Sequence, residues 1–194
     1  MIDSNFRNPY QRLVIHPLLK WGIINRLSPQ VLTLFGVLTG VMIPICLYFQ
    51  KSHWALICLA LSGFFDTLDG SLARHLGKTS PKGAVLDITS DRLVEFAIIL
   101  GLYLHAPEGR ALLSLGMLGA VFLCVTTFLV VGIFQVNSSE KSFHYSPGLI
   151  ERGEAFLFFT LMILFPFFFA PLAILFISLT SLTAYIRIFQ FINN

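Results

Sequence analysis

Residues 53–104 read "HWALICLALSGFFDTLDGSLARHLGKTSPKGAVLDITSDRLVEFAIILGLYL". Two apolar runs flank a short polar link, and four aspartates, Asp66, Asp69, Asp87 and Asp91, stand where each run approaches that link. Runs of this length and oiliness fit helices that cross a hydrocarbon layer, which need about 20 apolar residues each. The stretch is expected to form a helical hairpin in lipid with its acids gathered at one end.

The rest of the chain agrees with a membrane setting. Of 194 residues, 56% are hydrophobic and 12% are charged, with a mean hydropathy of +0.79. A soluble domain needs more polar surface than that. The fold class expected is all-α, a polytopic membrane protein forming one domain over 1–194. Six spans are predicted at 31–49, 53–74, 83–104, 111–136, 150–168 and 171–191. They are joined by the short links "QKSH", "APEGR" and "FFFAP" and one longer link, "NSSEKSFHYSPGL". Before them, residues 1–27 form a juxtamembrane segment. Tyr10, Leu13, Val14, Leu18, Trp21 and Ile24 alternate there with Arg12, Lys20 and Arg26, a pattern for a helix lying in the interface, interrupted by Pro17. The N-terminus does not read as a cleaved signal peptide. Cys46, Cys58 and Cys124 lie inside apolar runs without metal or disulfide spacing, which makes them packing residues.

Orientation follows from the cations. Arg7, Arg12, Lys20, Arg26, Arg74, Lys78, Lys82, Lys141, Arg152 and Arg187 fall on one side, against Lys51 and Arg110 on the other. Both termini and the 75–82 link are thereby placed in the cytoplasm, with the acidic cluster on the same side of the cell (inner) membrane. The net charge of +3 is an orientation signal, and no nucleic-acid partner is expected.

On a helix, Asp66, Asp69, Gly70 and Ala73 share a face at i, i+3, i+4 and i+7, with Arg74 beside them. Gly83, Asp87 and Asp91 form a second stripe at i, i+4 and i+8. The short link makes the two helices antiparallel neighbours whose stripes can face each other. Four close carboxylates repel one another in a low dielectric unless cations neutralise them. All the donors are oxygens, so hard divalent cations fit best, and two ions on bridging carboxylates suit displacement at phosphorus. Gly70 leaves room for a close substrate, and Arg74 offers a planar fork to phosphate. Single acids at span ends are often interfacial anchors. Four in register with Gly and Arg are not explained that way.

The pattern D-x2-D-G-x2-A-R-x8-G-x3-D-x3-D is matched by Asp66, Asp69, Gly70, Ala73, Arg74, Gly83, Asp87 and Asp91. It resembles that of the CDP-alcohol phosphatidyltransferase family. The six spans, the juxtamembrane helix and "SPQVLTLFG" at the first span also resemble that family, although Gln30 stands where members often carry Asn. The resemblance implies transfer of a phosphatidyl group from CDP-diacylglycerol to a polar alcohol with release of CMP, dependent on Mg2+ or Mn2+. Asp66, Asp69 and Asp87 are then metal ligands, and Asp91 a ligand or the catalytic base. Gly70, Ala73, Arg74 and Gly83 line the CDP site. The implied partners are CDP-diacylglycerol, an alcohol and membrane lipids, in a homodimer.

The acceptor is left open between inositol phosphate, glycerol phosphate and other alcohols. "GLIERGEAFLF" partly resembles an E-R-x-E-R stretch of inositol-phosphate-using relatives, with Ala155 in place of the second arginine. Arg152 is the candidate acceptor-phosphate ligand, with pairing to Glu151 or Glu154 as the alternative. His75 and His144 are read as solvated. Glu95 is either an outer partner of the cluster or a partner of Arg92. Gly36, Gly40, Gly116 and Gly119 are candidates for close helix contacts. Pro44 and Pro166 are placed inside spans, and "FPFFFAP" is read as lipid-facing. Two other functions are weighed: a divalent-cation carrier, which needs acids along a through-path, and an intramembrane prenyltransferase-like enzyme, which needs more spans.

Overall fold

In a computed structural model the chain is described over residues 11–20, 27–134 and 149–193. Arg7, Tyr10, Trp21, Ile24, Arg26, Lys141 and His144 lie outside the described residues, as do the side chains of Arg12 and Lys20 and most of the 137–149 link. Every regular element among the described residues is helical. A π-turn at Gln11–Ile15 runs into α1 (His16–Lys20). Then come α2 (Pro29–Tyr48), α3 (Ser52–His75), α4 (Pro81–His105), α5 (Pro107–Phe134), α6 (Arg152–Leu164) and, after a 3-10 turn at Pro166–Phe168, α7 (Phe169–Asn193). Helices α2 to α7 correspond one for one to the six expected spans. Among the described residues, four stretches are long and apolar enough to cross a membrane: α2, α3, α5 and Pro166–Asn193. Charged residues Lys82, Asp87, Asp91, Arg92 and Glu95 crowd α4 from its start to just past its middle. The 13 residues of α6 rise only about 20 Å, against a hydrocarbon thickness of about 30 Å.

The chain divides into two compact units, Ile2–His105 and Ala106–Asn194. In the first, α2 packs against both α3 and α4. The two acid-bearing helices of the expected hairpin lean chiefly on α2 rather than on each other. At the α2–α4 crossing the reason is a missing side chain on each helix. A Cβ on Gly40 would stand 2.7 Å from Val94 Cγ2, and one on Gly101 would stand 2.9 Å from the Cα of Pro44. Ser62 Oγ donates to the Gly36 carbonyl at 2.8 Å, which sets the register of α3 on α2. The outer face of α2 exposes Leu34, Phe35, Leu38, Met42 and Ile45, a surface that water would not tolerate and lipid does. Ile15 and Leu19 seat the N-terminal helix on Leu32, Leu68 and Leu72, while Leu13 is 77% exposed.

The links of this unit are built from local chemistry. α3 ends at Gly77, whose φ of +62° lets the amide of Lys78 reach the carbonyl of Ala73 at 2.9 Å. α4 begins at Ser80, whose Oγ accepts the amide of Gly83 at 3.1 Å. At the opposite end Gln50 Nε2 donates to the carbonyl of His105 at 2.8 Å, closing the "QKSH" turn on α4.

In the second unit α5 packs on α7. Gly116 meets the tip of Ile177, whereas Gly119 faces open space, so the expected close contact at Gly119 is not made. Arg110 is buried: it donates to the carbonyl of Pro166 at 3.1 Å and sits over the Phe169 ring at 4.3 Å. Pro166 lies outside the helix expected at 150–168. It follows the stop of α6 at Leu164 and opens the 3-10 turn, since its ring offers no amide to continue the helix. Within "FPFFFAP", Phe167 and Phe168 are exposed as expected, but Phe169 is buried beneath Arg110.

Candidate metal centre

The acids meet because two local geometries converge. Leu68 and Leu72 bury one side of α3, and the 3.6-residue repeat then turns Asp66 and Asp69 together toward another. Asp87 is supplied from the second turn of α4. One carboxylate oxygen from each of Asp66, Asp69 and Asp87 lies within 4.8 Å of the others. Asp69 is 4% exposed, Asp66 half-buried and Asp87 exposed, so the cluster grades from interior to surface. Three anionic oxygens at this separation, with no sulfur or imidazole among them, fit a hard divalent cation.

Asp91, one turn beyond Asp87, lies outside this set of three. Its Oδ2 is 3.9 Å from Arg92 Nη2, and Arg92 Nη1 is held by Glu95 Oε2 at 2.6 Å. Glu95 is therefore a partner of Arg92. On α3, Arg74 Nη2 donates to Ser71 Oγ at 3.2 Å, which steadies a guanidinium that remains exposed. A Cβ on Gly70 would lie 3.5 Å from Arg74 Nη1; the glycine leaves that side of the guanidinium uncovered. Gly83 serves in the cap of α4, and Ala73 is half-buried.

One contact to the cluster lies outside the acidic motif. Thr33 on α2, only 9% exposed, hydrogen-bonds through Oγ1 to Oδ2 of Asp69. It lies in the "SPQVLTLFG" stretch. Its only signal in the sequence is a hydroxyl at i−3 and i−7 from Gly36 and Gly40, on the stripe that packs inward.

In the second unit, Glu151 and Glu154 form a capping box at the start of α6, the amide of Glu151 donating to Glu154 Oε2 at 3.2 Å. Both glutamates thus serve the helix terminus. The guanidinium of Arg152 stands 5.6 Å from the ring centre of Phe156. Arg187, expected among the membrane-flanking charges, is buried. It donates to the carbonyl of Cys124 at 3.0 Å and faces the Phe128 ring.

The family model described as CDP-alcohol phosphatidyltransferase matches residues 26–191. The inner membrane protein YnjF of Escherichia coli is 35% identical over 174 residues, covering 84% of this chain and 82% of that protein. The phosphatidylinositol phosphate synthase of Mycobacteroides abscessus is 33% identical over 129 residues, 66% of this chain. The chain spans only 57% of the length of that synthase. The crystal structure of Mycobacterium tuberculosis phosphatidylinositol phosphate synthase with CDP-DAG bound matches with a TM-score of 0.69 at 22% identity, over 93% of this chain and 92% of that one. The same protein in complex with manganese and citrate matches with a TM-score of 0.69 at 23% identity, over 93% and 88%. At these identities the structural likeness establishes the fold.

Proposed function

Since this chain belongs to the CDP-alcohol phosphatidyltransferase family, we propose that its acidic cluster is the metal-dependent centre at which a phosphatidyl group passes from CDP-diacylglycerol to a polar alcohol. The chain is an integral membrane phosphatidyltransferase. The observation that carries the assignment of the centre is the meeting of Asp66, Asp69 and Asp87 from two helices within 4.8 Å. These three would hold Mg2+ or Mn2+, and the manganese complex of the M. tuberculosis synthase supports that class of ion. Bound there, divalent ions supply charge that offsets the diphosphate and the departing CMP.

The chain's own residues do the rest. Arg74, steadied by Ser71, presents its fork to a diphosphate oxygen. Gly70, Ala73 and Gly83 leave the CDP path free of large side chains. Asp91 takes the proton of the acceptor hydroxyl as that oxygen attacks the phosphorus bearing the diacylglycerol. The bond from that phosphorus to CMP breaks, and CMP leaves. A carboxylate fully engaged with a cation is a poor base, so the position of Asp91 outside the set of three favours this role over a ligand role. Arg152 at the first turn of α6 is the ligand for a phosphate on the acceptor.

In this reading all six helices count as spans of one domain. Cation asymmetry in the sequence supports a centre and termini at the cytoplasmic face of the inner membrane, where the donor's tails would stay in lipid and its nucleotide in water. A homodimer is the assembly this reading carries. The test is purified protein in detergent with CDP-diacylglycerol, Mg2+ or Mn2+ and a panel of polar alcohols, following CMP release and the mass of the lipid product. Release of CMP with one alcohol and a matching phosphodiester product is expected. No release with any alcohol would refute the reading.

A further inference from the structure

Asp66, Asp69 and Asp87 stand on α3 and α4, but the helix that holds α3 and α4 in place is α2. Thr33 is where α2 touches the cluster. Its single hydroxyl proton has two acceptors in reach, the carbonyl of Pro29 at 3.1 Å and Oδ2 of Asp69. A carboxylate oxygen is a stronger acceptor than a peptide carbonyl, and the hydroxyl lies closer to Asp69 than to Pro29. That bond closes off one lone pair of a carboxylate that is 4% exposed and fixes the rotation of its side chain. Thr33 cannot drift, because Gly36 and Gly40, one and two turns on, lock α2 against Ser62 and Val94.

We propose that Thr33 is a positioning residue for the metal centre: by aiming the Asp69 carboxylate it sets the affinity of a site to which α2 contributes no carboxylate. The inference rests on the metal-centre assignment above. Partners that orient a ligand in this way typically change metal affinity or activity about 10- to 100-fold when removed.

The experiment is direct Mn2+ binding to the purified apo-protein without substrate, read by the loss of the free-ion electron paramagnetic resonance signal, with activity titrated against Mn2+ in parallel. Thr33→Val keeps the shape and removes the hydroxyl; Thr33→Ser keeps the hydroxyl. The dissociation constant for Mn2+ should rise at least about tenfold in the valine variant and return to within about threefold of wild type in the serine variant. In the activity titration saturating Mn2+ should restore much of the turnover of Thr33→Val, which a merely structural defect would not allow. If Thr33→Val does not fold, Thr33→Ala and Thr33→Ser carry the same comparison. Equal Mn2+ affinity in wild type and the hydroxyl-free variant, or equal losses in the serine and hydroxyl-free variants, overturns the positioning role and leaves the metal centre standing. Absence of Mn2+ binding by the wild-type protein overturns both.

Discussion

A single methyl group at Gly40 tests how the carboxylates are brought together. In Gly40→Ala the new Cβ would lie 2.7 Å from Val94 Cγ2, 2.9 Å from Val94 Cγ1 and 3.2 Å from Ser62 Oγ. Carbon pairs pack best at about 3.5–4.0 Å, so the two Val94 contacts are roughly 1 Å too short. Val94 is buried and β-branched, with few rotamers open to it, and the strain must be relieved by moving α2 away from α4. Overpacking of this kind costs about 1–3 kcal/mol. The shift also reaches the site, because α2 carries α3 through Ser62 and Thr33 while it carries α4 through Val94. Displacement on the order of 1 Å at a catalytic centre can cost about 100-fold in rate. We expect Gly40→Ala to lower the unfolding temperature in detergent and to weaken Mn2+ binding. Adding Val94→Ala removes both clashing methyls. The double variant should therefore be more stable than Gly40→Ala alone, with a coupling of at least about 1 kcal/mol in the thermodynamic cycle. Wild-type stability and Mn2+ affinity in Gly40→Ala, or no recovery on adding Val94→Ala, would refute the account of α2 as the part that sets the spacing.

Four further outcomes are expected. Asp91→Asn should lower turnover about 100- to 10,000-fold, the range for loss of a general base, while CDP-diacylglycerol binding in the presence of Mn2+ stays near wild type. Asp66→Asn and Asp87→Asn should instead weaken Mn2+ and donor binding, and equal binding losses in all three variants would remove the separate role for Asp91. Chelation of divalent ions should abolish CMP release, and Mg2+ or Mn2+ should restore it; full activity in excess chelator contradicts the centre. Arg152→Ala should raise KM for a phosphorylated acceptor and leave KM for CDP-diacylglycerol unchanged. A loss confined to thermal stability would mean that the guanidinium serves only its stacking on Phe156.

Much of the site is legible in the order of the residues. Asp66 and Asp69 sit three residues apart, and in a helix that spacing alone places them on one face. The same holds for Gly83, Asp87 and Asp91. The turn between the helices is equally local, since Gly77 ends α3 and Ser80 caps α4 within the span of a few bonds. The helix at 150–168 is less legible. An apolar run containing Pro166 reads as a kinked span, and only the folded chain reveals that Pro166 begins a separate turn against Arg110.

The sequence by itself determined a helical chain suited to lipid, with two acidic stripes joined by a short link, because hydropathy and the 3.6-residue repeat are properties of single segments. Tertiary structure alone decided which helices touch. It placed α2 as the shared neighbour of α3 and α4, gave Gly40 and Gly101 a close contact and Gly119 none, and joined Thr33 to Asp69 across 36 residues of chain. It also turned Arg110 and Arg187 from flanking charges into buried side chains bonded to carbonyls. Those outcomes depend on the shapes of two surfaces at once, and no spacing within one helix encodes the surface it will meet.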